Sequence, residues 1–159
     1  MLYRWALTPD AGDVPGLEEV ARVTGPGGLE APATAFLGMH AAVTLLALQD
    51  LDGLRRLAAR CASHPHAAQR EVVAPLADAL WVLGSGRASE AADLLAALAP
   101  QCWRFGGSDA QREIVEETRI AALLRAERYD DARVLLDSRL DRRPSPRDHR
   151  WRQVAVAVP

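Results

Sequence analysis

The chain has 159 residues, 49% of them apolar and 25% charged, enough for one soluble domain with a real core. A net charge of −2 argues against a general nucleic-acid binder, which would carry a basic excess. No apolar run approaches the ~20 residues that cross a bilayer, and the start, M-L-Y-R-W-A-L-T-P-D, is too short and too polar for a signal peptide.

Alanine and leucine dominate and aromatic residues are scarce, which favours helix over sheet. All the basic residues are arginine, and lysine and asparagine are absent. Codon bias in a GC-rich, bacterial genome explains this; the other reading is selection for anion binding, since arginine makes bidentate contacts that lysine cannot. Cys61 and Cys102 lack metal-ligand spacing. They read as free thiols of a reducing compartment, which gives a cytoplasmic location.

Taken in order, residues 1–30 hold an apolar start (Leu2 to Leu7, with Trp5) and a short helix capped by Asp13, carrying Leu17, Val20 and Ala21. Gly25-Pro26-Gly27-Gly28 breaks it. A first hairpin is expected over 32–63, with Phe36, Met39, Val43 and Leu46 inward from one helix and Leu51, Leu54, Leu57, Ala58 and Cys61 from the next. A second, over 67–99, turns at Gly84-Ser85-Gly86. It buries Val72, Val73, Leu76, Leu80 and Leu83, then Ala91, Leu94, Leu95 and Leu98. A third, over 107–142, turns at Ala126 to Arg128 and has the stripe Ala132, Leu135, Leu136, Leu140. Ser145 caps a last helix over 145–158, with Pro146 at its first position and Trp151, Val154, Ala155 and Val158 inward. It would close the stack with its arginines outward.

The hairpins echo one another. Leu54, Ala91 and Ala132 take equivalent places, 37 and then 41 residues apart, a little over the ~34 of a tetratricopeptide repeat. One hairpin buries a single face, so neighbours must stack to close the core. The expected fold class is all-α, a right-handed stack of antiparallel helical hairpins in one domain, 1–159.

The candidate binding residues are His40, Trp103, Arg104, Ser108, Gln111 and Arg112. Ser108 and Gln111 have capping-box spacing, and Gly106-Gly107 allow a sharp turn before the cap. Free N–H groups at that helix start, with Arg104 and Arg112, would suit a carboxylate or phosphate. The capping explanation uses the same atoms and leaves Trp103 to plug the gap between hairpins. His40 is mid-helix near Phe36 and Val43. It is a ligand or general-base candidate near neutral pH, but no histidine, cysteine or carboxylate stands four residues on. A hydrogen-bonded core histidine is the expectation. His64 and His66 flank Pro65 in a solvated turn. No standard catalytic, metal or phosphate-loop motif occurs, so no catalytic residue, metal ligand or cofactor is assigned.

Three stretches carry a family likeness: P-Q-C-W-R-F-G-G-S-D-A-Q-R-E at Pro100 to Glu113, R-P-S-P at Arg143 to Pro146, and F-L-G-M-H-A-A at Phe36 to Ala42. With L-Y-R-W-A-L and G-D-V near the start, the chain resembles the C-terminal part of the tetratricopeptide repeat protein 38 family, whose members are longer. It resembles either a short stand-alone version or one lacking N-terminal repeats. The resemblance implies a helical-repeat fold and, through it, binding. Gly38 stands where an acidic residue is expected, and Asp109 where a histidine is.

A non-catalytic module binding a peptide or protein partner in its groove is therefore the first expectation. Self-association through an apolar N-terminal stack end, with Leu2 and Trp5, is a related one. The alternative is a small-molecule, anion-binding or catalytic pocket around His40, Trp103, Arg104, Gln111 and Arg112. A third reading is RNA contact through the arginines at 139, 142, 143, 147, 150 and 152; a solvated capping end accounts for them equally.

Overall fold

A computed structural model describes residues 16–24 and 28–157. Expectations placed on Leu2, Trp5, Asp13 and Val158, and on the side chains of Leu17 and Ala21, lie outside the described residues. Among the described residues every regular element is a helix and there is no strand. The order is α1 (Leu17–Thr24), α2 (Ala35–Ala47), α3 (Leu51–Ala62), a π turn (Gln69–Val73) running into α4 (Ala74–Gly84), and α5 (Ala88–Leu98). A 3-10 helix (Ala99–Phe105), α6 (Asp109–Arg125), α7 (Tyr129–Arg142) and α8 (Pro146–Ala157) complete it.

Local chemistry sets the ends. Thr34 accepts the Leu37 N–H at 3.2 Å and Asp50 the Gly53 N–H at 2.8 Å, so each caps its helix. Ser145 does the same for α8, accepting the Asp148 N–H at 3.2 Å. The three hairpin turns are the same turn. Gln49, Gly86 and Glu127 each adopt a positive φ (57°, 84° and 57°). In each, that residue's N–H bonds the carbonyl three back and the next N–H bonds the carbonyl five back, as in Asp50 to Leu45 at 2.9 Å, Arg87 to Val82 at 3.2 Å and Arg128 to Leu123 at 2.9 Å. The repeat seen in sequence is thus a repeat of backbone geometry. Its second spacing is the longer because Ala99–Phe105 is inserted between α5 and α6.

The helix expected from Ala67 to Leu83 is continuous but not regular. Pro75 has no N–H for the Glu71 carbonyl, and in an α-helix its ring would strike that carbonyl. The widened turn before it removes the conflict: the Ala74 N–H bonds the Gln69 carbonyl, five residues back.

The core runs through the packed helices. Met39, Leu45, Leu54, Leu57, Leu76, Leu80, Leu95, Ile114, Ile120, Leu123 and Leu136 are fully buried. From α2 onward, helices adjacent in sequence pack together, α2 also packs on α4, and the 3-10 segment sits among α2, the π turn, α5 and α6. Some expected core residues lie elsewhere. Leu94 is 41% exposed, because Ala91, Ala92, Leu95 and Leu98 set the buried stripe of α5 and leave Leu94 on its flank. Val154 is 52% exposed, since α8 packs chiefly on α7 and, among its described side chains, only Ala155 and Asp148 are fully enclosed there. Phe36, Leu51, Leu135, Leu140 and Trp151 are half-buried. Among the described residues no helix is long and apolar enough to cross a membrane.

Candidate functional site

The segment from Ala99 to Arg112 holds five of the six candidate residues. Pro100 opens the 3-10 helix, in which three residues make one turn. Cys102 and Phe105 therefore share the inward side, half-buried and buried, while Trp103 points out and is 70% exposed. This corrects the expectation that Trp103 plugs the gap between hairpins: Phe105 does so. Arg104 ties the turn to neighbouring groups, donating to Glu71 Oε2 at 2.6 Å and Gln101 Oε1 at 2.8 Å.

Gly106 and Gly107 follow with φ of 79° and 72°. A Cβ on Gly107 would lie 2.5 Å from the Phe36 ring, so only glycine lets α2 close on this turn. Ser108 then caps α6. Its N–H donates to Gln111 Oε1 at 2.9 Å, the reach-back half of the capping box the spacing predicts, and its hydroxyl also donates to that oxygen at 3.1 Å. Arg112 folds back over the turn, donating to the Gly106 carbonyl at 3.2 Å and also to the Gly107 carbonyl and Asp109.

His40 joins this region at second hand. Its ring stands edge-on to Phe36, centroids 4.6 Å apart, and Phe36 in turn covers Gly107. Gly38, where the family likeness would place an acid, has no room for one: a Cβ there would lie 2.7 Å from Val73 Cγ1. The structure thus gathers Ser108, Gln111 and Arg112 around one turn, sets His40 behind Phe36, sends Trp103 outward and commits Arg104 to Glu71.

The arginine-rich C-terminus contains a feature that composition did not reveal. Arg139 is 3% exposed in a cage of carboxylates. Its guanidinium donates to Asp148 at 2.8 Å, Glu116 at 2.7 Å and Glu117 at 3.3 Å. Burial disfavours its charge, but the hydrogen bonds to Asp148 and Glu116 outweigh this and hold its pKa above the ordinary arginine value. Arg147 reaches Glu117 at 2.7 Å, Arg142 reaches Glu116 at 2.8 Å, and Arg143 and Arg152 pair with Glu113 and Asp137. The expected outward arginines are thus largely turned to acids of α6, α7 and α8. A clue was present: Arg139 falls seven residues after Ala132 and three after Leu136, on the buried stripe of α7.

Beside the turn lies a cleft of about 390 Å³ between α5, the 3-10 helix and α6. One side is Leu95, Ala99 and Cys102; the other is Arg112, Val115, Glu116 and Arg119, residues at helical spacing on one face of α6. Arg112 alone of the six candidates lines it. Burial pushes the Cys102 thiol up to about 11, with Arg112 opposing and Glu116 adding to the shift, which favours its neutral form at physiological pH. Among the described residues no group of three or more histidine, cysteine or acidic side chains could hold a metal ion.

Comparisons with protein-family models, with curated proteins and with solved structures found no match to this chain.

Proposed function

We propose that the chain is a helical-repeat interaction module, a right-handed stack of tetratricopeptide type akin to the C-terminal part of the protein 38 family, and that it binds a peptide or protein partner without catalysing a reaction. The observation that carries this is the presentation of Trp103. Its indole is 70% exposed, yet the turn beneath it is pinned by buried Phe105, the Arg104–Glu71 pair and the capping box of α6. A large aromatic held out on an ordered turn loses little freedom on contact, and tryptophan is among the residues enriched at the hot spots of protein interfaces. The repeated turns at Gln49, Gly86 and Glu127 support the repeat assignment. The anion pocket around His40, Trp103, Arg104, Gln111 and Arg112 has less support, because both guanidinium groups are already bonded within the turn region.

Selection of a random peptide library on the immobilised chain tests the proposal. Enriched peptides should bind Trp103→Ala at least about tenfold more weakly, at unchanged melting temperature. No enrichment over background, or equal binding to Trp103→Ala, would count against it.

A further inference from the structure

The inward face of α8 is built of charge where α3 and α5 use carbon. Its described side chains that are not exposed are Arg147, Asp148, Trp151, Arg152 and Ala155, which fall at helical spacing on one stripe. Ala155 offers a single methyl group. Trp151 is half-buried, and its ring is covered by Arg147 of its own helix, 4.8 Å from the centroid. The buried stripe of α3, by contrast, is Leu54, Leu57, Ala58 and Cys61. Charge therefore holds α8 in place. Asp148 meets Arg139 at 2.8 Å, Arg147 meets Glu117 at 2.7 Å, and Arg152 pairs with Asp137. Arg133 of α7 adds a hydrogen bond to the Ala155 carbonyl at 3.2 Å. The apolar Val154 and Val156 face outward.

Taking paired charges out of water costs about as much as their attraction returns, so such pairs add less net hold than carbon of the same area. A helix of 12 residues is marginal on its own, and Val154 and Val156 are poor helix formers. The link from α7 is extended at Arg143 and exposed at Pro144, so α8 can leave without unwinding α7. We propose that α8 is a charge-held latch: it detaches and melts as a unit while α2 to α7 stay folded, and its opening gives the Arg139 cage to solvent. Guanidinium-bearing molecules favour the open form. They carry the same group as Arg147 and Arg152 and compete for Glu117 and Asp137, as neutral urea does not. The latch is separate from the Trp103 turn and stands whether or not Trp103 contacts a partner.

The test is native-state hydrogen exchange of the labelled full chain, followed by NMR. It is run in sub-denaturing urea and in sub-denaturing guanidinium chloride, with ionic strength matched by sodium chloride. The amides of Arg150 to Val156 should exchange together, at least about a hundredfold faster than those of α4, and with a weaker urea dependence. At concentrations of the two denaturants that speed α4 equally, guanidinium should speed α8 at least about threefold more than urea does. Arg147→Gln should speed α8 about tenfold and leave α4 unchanged. Exchange of α8 at the rate and denaturant dependence of α4 would overturn the proposal. So would rates that rise residue by residue toward Val156 with no common opening, an equal response of α8 to the two denaturants, or equal acceleration of α4 and α8 by Arg147→Gln. If Arg147→Gln fails to fold, the contrast between the two denaturants on the unaltered chain decides.

Discussion

At the scale of single residues, the positive-φ positions separate strain from crowding. Gly86 has φ of 84° and open space where a Cβ would go, so Gly86→Ala should cost only backbone strain, about 1–2 kcal/mol. Gly107→Ala adds a collision with the Phe36 ring and should be clearly worse in the same urea titration. Conversely, Glu127 carries a side chain in the conformation that Gly86 adopts freely, and Glu127→Gly should raise the urea midpoint by about 1 kcal/mol equivalent. Cys102 gives a pH signature. Its folded pKa lies above its unfolded value of 9.0, so its contribution is complete below pH 9 and is lost as the pH rises through about 11. Stability measured at pH 7, 9 and 11 should fall more steeply in the unaltered chain than in Cys102→Ala. The capping box at Ser108 was legible because it is a matter of four adjacent residues. The outward turn of Trp103 was not, because it depends on the 3-10 pitch, which no spacing of apolar residues announces.

Among the elements, the least regular is the most connected. The π turn aims the buried Gln69 side chain at two partners at once. Its amide donates to the Pro32 carbonyl at 3.0 Å, and its oxygen accepts the Cys61 thiol at 3.3 Å. It thereby joins the entry to α2, the end of α3 and the start of α4. Gln69→Leu would fit the space but orphan the buried Pro32 carbonyl, and should destabilise by about 1–3 kcal/mol in chemical denaturation. The helices themselves were legible, since each hairpin turn interrupts the apolar period and Pro100, Ser108 and Pro146 mark ends. The π turn is written only in Pro75, a residue the apolar period of Val72, Leu76, Leu80 and Leu83 overrides. At Leu94 and Val154 the period gave a face too wide, because which flank of a stripe is covered depends on the neighbouring helix.

For the molecule as a whole, the arginine-rich end is a lock rather than a surface. Arg139 draws acids of α6 and α8 onto α7, and Arg147 and Arg152 extend the pairing along α8. Arg139→Met leaves Glu117 and Asp148 buried with weakened compensation and should cost about 3–5 kcal/mol in global unfolding. RNA contact through the same arginines requires breaking these pairs. Retention on a polyanion column at moderate salt should accordingly be slight, and Arg143→Gln with Arg147→Gln should leave it unchanged. Composition could not reveal this, since the partners lie 22 and 23 residues apart, as in Arg139 with Glu117 and Glu116. Only the antiparallel packing of α6 and α7 brings them together.

The surface proposed to meet a partner is the pinned turn from Gln101 to Ser108. Hydrogen–deuterium exchange of the chain with and without a selected peptide addresses it most directly. Added protection centred on Gln101 to Ser108, with α7 and α8 unchanged, is the expected result. Protection confined to α7 and α8, with the Trp103 turn exchanging as it does in the free chain, would contradict it.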